Sequence, residues 1–202
     1  MPQDKSEEQK ILKIIDECGA IRPRDLAIEG ISRRALSRLV GKGTLSRPTR
    51  GLYVRTDFEP SEHHSLSEVA KIVPAGIVCL LSALRFHELT TQEPYEVWLA
   101  LGNKAWTPRN TSTSLRIMRF STSTLAFGVE QHVIECVTVR IFSAAKTVAD
   151  CFKFRSTVGV DVAIEALKDC WTHKKATMDQ IWEAAKVCRM SNVMRPYLES
   201  LV

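Results

Sequence analysis

"SRRALSRLVGKGTLSRPTRGLYVR", Ser32–Arg55, carries seven Arg or Lys residues in twenty-four positions and no acid. A solvated face usually mixes charge signs, because interspersed acids keep a surface soluble without building a large field. The hydrophobic period also changes within the stretch. From Arg33 to Lys42, at about 100° per residue, Arg33, Ser37, Gly41, Arg34, Arg38 and Lys42 fall on one half of a helical wheel. Ala35, Leu36, Leu39 and Val40 fall on the other half. Ser32 precedes them and can cap the helix by accepting a backbone N–H. After Gly43 the pattern alternates. Thr44–Arg47 and Leu52–Arg55 read as two short strands, and "PTRG" supplies the turn between them. Pro48 suits an edge strand, and Gly51 suits a positive φ.

Upstream, Ile11, Leu12, Ile14, Ile15 and Cys18 share one helical arc, which predicts a first helix over Ser6–Cys18 that Gly19 ends. In "IRPRDLAIEG", Pro23 opens a short second helix, Asp25 favours its positive end and Gly30 closes it. Helix, short helix, helix and hairpin within about 55 residues is the plan of a winged helix-turn-helix.

The net charge is +5 over 202 residues, and its distribution matters more than its size. Residues 1–19 hold three Lys against five acids, net −2; residues 20–56 hold nine Arg or Lys against two acids, net +7; residues 57–202 hold sixteen of each. All the basic excess therefore lies in the winged-helix segment. Such an excess is the footprint of a phosphate-rich partner, and DNA contact is favoured over a solvated basic face.

Other classes fall away. "MPQDKSEEQK" is polar and lacks the apolar run of a secretory signal. No stretch reaches the roughly 18 apolar residues that a membrane span needs. The six cysteines, at 18, 79, 136, 151, 170 and 188, form no CxxC pair. They read as buried thiols of a reducing cytosol rather than as disulfides or zinc ligands. His63-His64 stands in a polar linker without Cys or carboxylate ligands at metal spacing, so solvent-exposed linker histidines are favoured over a metal site. His87 next to Glu88 could suggest acid–base chemistry, but it ends an apolar helix, and a surface helix terminus is the preferred reading. No nucleophile elbow, phosphate loop, dinucleotide fingerprint or metalloprotease motif is present. The expectation is no catalytic residue, no metal and no cofactor.

The polar, proline-containing "TDFEPSEHHS", Thr56–Ser65, marks a boundary, giving a DNA-binding domain over 1–57 and a second domain over 58–202. In the second, Leu66–Val73 and Ile77–Leu89 read as helices. "YEVWLAL", "LRIMRFS" and "HVIECVTVRIFS" read as strands rich in β-branched and aromatic residues. Ser143–Phe154, Val158–Trp171, Thr177–Met190 and Asn192–Leu201 read as helices. The fold class is α+β: a winged helix, then a mixed α/β domain with a small sheet and a helical C-terminus. Asp150 lies in an apolar pattern and could be catalytic, but pairing with a nearby cation such as Lys146, four residues earlier, or Arg155 is the preferred reading. Lys104, Trp106 and Arg109 lie in a long loop over Gly102–Ser114. They suit nucleic acid, but packing of Trp106 against the sheet is the preferred reading.

The expected DNA-facing residues follow from the wheel and the hairpin. Ser32 caps the helix, Arg33, Arg34, Ser37 and Arg38 face the major groove, and Lys42 extends that face. Arg47, Thr49, Arg50 and Arg55 hold the sugar–phosphate backbone.

Three segments resemble the AbiEi family of antitoxins of type IV toxin–antitoxin systems. They are "PRDLAIEGISRRALSRLVGKGTLSRPTRGLYV", "GIVCLLSALRFHELT" and "SAAKTVADCFKFRSTVGVDVAIEAL". The family's third segment commonly begins with Pro, where this chain has Ala144 and Ala145. The resemblance implies a cytoplasmic protein whose N-terminal domain binds double-stranded operator DNA, expected as inverted repeats, and represses its own operon. It implies a C-terminal domain that counters a nucleotidyltransferase-like toxin without a stable complex. Two rivals remain: a nucleic-acid-processing enzyme that uses the winged helix for targeting, and a protein-interaction module.

Overall fold

Pro2–Cys18 forms α1, four residues longer at its start than the periodicity predicts. Ile11 and Ile15 bury one face of it, and Gly19 ends it in the left-handed region at φ 71°. The computed structural model describes residues 2–21, 23, 26, 30–49, 52–57, 61–107 and 113–201. Contacts divide the chain into two compact units, residues 1–64 with 133–137, and residues 65–132 with 138–202.

In the first unit, β1 (Ala20–Ile21) follows α1, then α2 (Arg33–Gly41), β2 (Leu45–Thr49) and β3 (Leu52–Arg55). The sheet order is β1-β3-β2, both pairs antiparallel. The two-residue strand β1 is too short to show a sequence period. The short helix expected at Pro23 falls mostly outside the described residues, as does the Arg50-Gly51 turn. Leu26 from that stretch is buried, and its carbonyl accepts the Ile31 N–H at 2.9 Å. The core joins Ile11, Ile15, Ile21, Leu26, Ala35, Leu36, Leu39 and Leu45. Val40 departs from the wheel and is 36% exposed, because it lies at the rim of the buried stripe. Pro48 sits on the edge strand, and the register shifts between Ser46 and Thr49. A residue without an N–H is tolerated where the ladder is already interrupted.

In the second unit a five-stranded sheet has the order β6-β5-β4-β8-β7. Its strands are β4 (Ile77–Val78), β5 (Val97–Gly102), β6 (Leu115–Phe120), β7 (Val129–Ile134) and β8 (Val137–Phe142). β5 runs parallel to β6, β4 antiparallel to β5, and β4 parallel to β8. Helix α3 (His64–Ile72) precedes the sheet, α4 (Leu80–Phe86) follows β4, and α5 (Thr122–Ala126) follows β6. Two expectations are corrected here. Ile77-Val78 is a strand and not the start of a helix, because two β-branched residues next to open ladders on β5 and β8 gain more from pairing. "HVIECVTVRIF" is a hairpin and not one strand. Its turn residues, Glu135 and Cys136, take positive φ without the Gly or Asn that normally announces such a turn.

The unit is organised around α6 (Ala144–Lys153), buried from Ala144 through Phe152. Ser143 caps it, its Oγ accepting the Lys146 N–H at 3.4 Å. Gly128 passes close by with φ 65°, and a Cβ there would come within 2.8 Å of Lys146 Cβ. Around α6 pack α7 (Arg155–Val158), α8 (Val160–Thr172), α9 (Met178–Val187) and α10 (Ser191–Glu199). Thr177 and Gln180 form a capping box on α9, each side chain accepting the other's backbone N–H, at 3.2 and 2.8 Å.

Within this apolar helix lies a fully buried ion pair. Lys146 Nζ donates to Asp150 Oδ2, and both side chains are wholly enclosed. Cys188 donates its thiol to Asp150 Oδ1 at 3.2 Å. Lys146 also stands 4.3 Å from the Phe142 ring centre and 5.1 Å from that of Phe120. Burial raises the Asp150 carboxyl above its usual range, and the Lys146 charge and hydrogen bond oppose that. The pairing expected at i, i+4 is therefore present, and Arg155 instead donates to the Phe152 carbonyl at 2.9 Å.

Candidate nucleic-acid interface

Helix α2 is anchored by its inner face, so its outer face is held in a fixed presentation. Ser32 Oγ accepts the Arg34 N–H at 3.2 Å and sets the first turn. Ala35, Leu36 and Leu39 are buried, and Arg33, Arg34 and Ser37 are exposed. Among the described residues neither Arg33 nor Arg34 has an acidic partner. Exposed guanidiniums on a rigid helix are suited to fork onto base edges or phosphates.

The remaining cations of the face are held differently. Glu8 of α1 reaches both Arg38 Nε, at 3.5 Å, and Lys42 Nζ, at 2.6 Å. Asp16 of the same helix pairs with Arg55 Nη1 at 2.6 Å, and Asp57 pairs with Arg55 Nε at 3.0 Å. These carboxylates raise the Arg55 guanidinium further above its usual value. Three of the expected DNA contacts thus already meet carboxylates within the unit. The signal in the sequence was the net −2 of residues 1–19, which a one-dimensional reading could not aim at particular cations. On the hairpin, Arg47 is exposed and its guanidinium lies 5.8 Å from the Tyr53 ring centre. Thr49 ends β2, and Arg50 lies outside the described residues.

Within the second unit, residues 97–120 hold Lys104, Arg109, Arg116 and Arg119 and no acid, a local excess hidden by the neutral average of 57–202. Arg109 lies outside the described residues. Arg119 donates to the carbonyls of Gly102 and Ala105, at 2.7 and 2.9 Å, and to Thr107 Oγ1 at 2.6 Å. Those three bonds brace the chain on both sides of Trp106, which is 71% exposed. The expectation that Trp106 packs on the sheet is therefore wrong. That role belongs to Trp98, buried in β5 beneath the Arg116 guanidinium at 4.4 Å.

A cavity of about 320 Å³ is lined by His87, Gly128, Glu130, Ser143, Lys175 and Glu183, among others. Its polar groups are largely committed. His87 Nε2 bonds the Phe142 carbonyl at 2.7 Å, and burial lowers the imidazole below its usual value. Lys175 Nζ donates to Glu88 at 2.8 Å. His87 is thus a half-buried tether at the end of α4 and not a surface terminus. His64 Nδ1 bonds Glu135 Oε2 at 2.8 Å, so it is not a free linker residue. Among the described residues no group of three or more His, Cys, Asp or Glu could hold a metal ion. No helix among them is long and apolar enough to cross a membrane. Four cysteines, 79, 151, 170 and 188, are buried thiols as expected. Cys18 and Cys136 are joined in a disulfide, against expectation. Their separation of 118 residues concealed the pairing.

Residues 9–56 match the family described as "Transcriptional regulator, AbiEi antitoxin". No curated protein matches the chain in sequence. Among solved structures, the crystal structure of the Rv2827c protein from Mycobacterium tuberculosis is similar, with a TM-score of 0.54 at 12% identity. The match covers 93% of this chain and 77% of the other. At that identity the likeness concerns the fold alone.

Proposed function

We propose, from a winged helix that matches the AbiEi antitoxin regulators over residues 9–56, that this protein represses its own operon and serves as a cytoplasmic type IV antitoxin. Residues 1–57 read operator DNA, and residues 58–202 counter a nucleotidyltransferase-like toxin without a stable complex and without catalysis of their own. One observation carries the DNA-binding part: α2 is capped by Ser32, fixed by Ala35, Leu36 and Leu39, and presents Arg33, Arg34 and Ser37 outward. An α-helix fits the major groove, which is about 12 Å wide. Ser37 can bond bases or phosphates, and Arg33, Arg34 and Arg38 can reach guanine edges. Arg47, Thr49, Arg50 and Arg55 are assigned to the sugar–phosphate backbone, Lys42 extends the basic face, and the operator is read as an inverted repeat.

The test uses the full chain and DNA from its own promoter. Neutralising about five phosphates predicts a loss of roughly 10²- to 10³-fold in affinity between 50 and 200 mM salt. An affinity that stays flat with salt, or that is equal for scrambled DNA at every salt, overturns the reading. Arg33→Ala with Arg34→Ala is expected to abolish repression of a reporter. The same variant should still rescue growth of cells expressing the cognate toxin. Loss of rescue by a folded double variant overturns the assignment of antitoxicity to residues 58–202.

A further inference from the structure

Glu135 and Cys136 make the two-residue connection between β7 and β8, with φ of 49° and 55°. Two consecutive positive φ values belong to the tight hairpin turn that favours Asn-Gly. A carboxylate and a thiol occupy it instead, at a steric cost. Both side chains are engaged by the compact unit of residues 1–64, to which 133–137 belong. Glu135 accepts from Ser61 Oγ at 2.8 Å and pairs with His64 Nδ1 at 2.8 Å. Cys136 is bonded to Cys18, the last residue of α1, with 4.8 Å between their Cα atoms.

The six cysteines fall into two classes. Cys79, Cys151, Cys170 and Cys188 are buried, and burial raises each thiol, that of Cys170 to about 11 and that of Cys188 to about 12. Thiols of that kind are nearly inert at neutral pH, since the thiolate is the reacting form. Cys136 is exposed and Cys18 half-buried, within reach of a small reagent. An exposed disulfide exchanges more readily than an enclosed one.

We propose that Cys18 and Cys136 form a reversible redox modification site, closed by a low-molecular-weight disulfide, whose closure fastens residues 133–137 to the end of α1 within the first unit. From the reduced pair, the Cys136 thiolate attacks one sulfur of the small disulfide. The S–S bond of the reagent breaks, and its first thiolate leaves and takes up a proton. The Cys18 thiolate then attacks Cys136 Sγ, forming the protein disulfide and expelling the second small thiol. Two protein thiols are oxidised by two electrons, and one small disulfide is reduced to two thiols that carry the two protons away. A small thiol in excess reverses both steps. Helix α1, which ends in Cys18, also carries Glu8 and Asp16, the acids paired with Arg38, Lys42 and Arg55. The site itself rests on the pairing of Cys18 with Cys136 and on their exposure, and stands whether or not DNA is the partner.

The experiment equilibrates the full-length protein in buffers of stepped reduced-to-oxidised glutathione ratio, quenches with acid, alkylates and reads the cysteines by mass spectrometry. The pair should pass from open to closed across the series, while the four buried thiols are alkylated only after denaturation. Hydrogen exchange at 133–137 should rise at least tenfold on opening and remain unchanged within α6. Cys136→Ser, and Cys18→Ser as a second variant, should show the fast exchange at every ratio. A pair that stays closed in the most reducing buffer is a permanent bridge, one that never closes is no site, and equal exchange in both states means no fastening. Each of these three results overturns the proposal.

Discussion

Lys42 Nζ lies 2.6 Å from Glu8 Oε2, so an acid of the first helix rests on the basic face of the helix read as the DNA reader. The same carboxylate approaches Arg38. In the proposed complex this acid competes with phosphate for two cations. It also supports the fold, since a paired cation repels its basic neighbours less.

Glu8→Gln should therefore tighten DNA binding by about 1.5- to 5-fold, the worth of an exposed ion pair, and steepen the salt dependence. Fluorescence anisotropy across a salt series checks this. Weaker binding by a folded variant would show that Glu8 orients Arg38 and Lys42 rather than masking them.

Arg34→Ala should lower affinity for the operator more than for random DNA, by about 1–3 kcal/mol of discrimination if it forks onto a base. Arg47→Ala, on the hairpin, should weaken both about equally, as loss of a phosphate contact does. Equal losses for both variants on both DNAs would remove α2 from the groove.

Lys146→Met leaves Asp150 buried without its cation and should destabilise the second unit by about 3–5 kcal/mol. Adding Asp150→Leu should recover much of that, because the pair is replaced by apolar volume. Urea denaturation of the single and double variants measures the difference. A single variant as stable as wild type would mean that the ion pair contributes nothing to the fold.

His87 supplies a pH dependence with a definite sign. Its folded pKa is depressed below 6.5, chiefly by burial, with the Phe142 bond and the Glu130 charge opposing. The unfolded chain thus binds the proton more readily. The contribution of His87 to stability is complete above 6.5 and is lost as pH falls through that value toward the folded pKa. His87→Gln should flatten that part of the melting-temperature profile on the acid side of neutrality. An unchanged slope in the variant would assign the acid sensitivity to other groups.

Some of this was legible in the chain because it is local. The wheel of Arg33–Lys42, the caps at Ser32 and Ser143, and the i, i+4 spacing of Lys146 and Asp150 each depend on residues within a turn or two of one another. Helical period and capping act at that range, so α2 and α6 could be read directly, and Lys146 was one of two cations expected to pair with Asp150. The family resemblance added an expected role that no period contains.

What only the tertiary structure decided joins residues far apart in sequence. Glu8 meets Lys42 across 34 residues, and Cys18 meets Cys136 across 118. The strand at Ile77-Val78 exists because β5 and β8 offer backbone partners, a property of neighbours that a short apolar run does not reveal. The turn at Glu135-Cys136 has no turn-forming residue, and its positive φ values accompany contacts made by its side chains. Trp106 and Trp98 are both tryptophans in the same acid-free stretch. Burial of one and exposure of the other follow from the end of β5 at Gly102, which keeps Trp98 within the sheet and leaves Trp106 in the loop that Arg119 of β6 tethers on both sides of it.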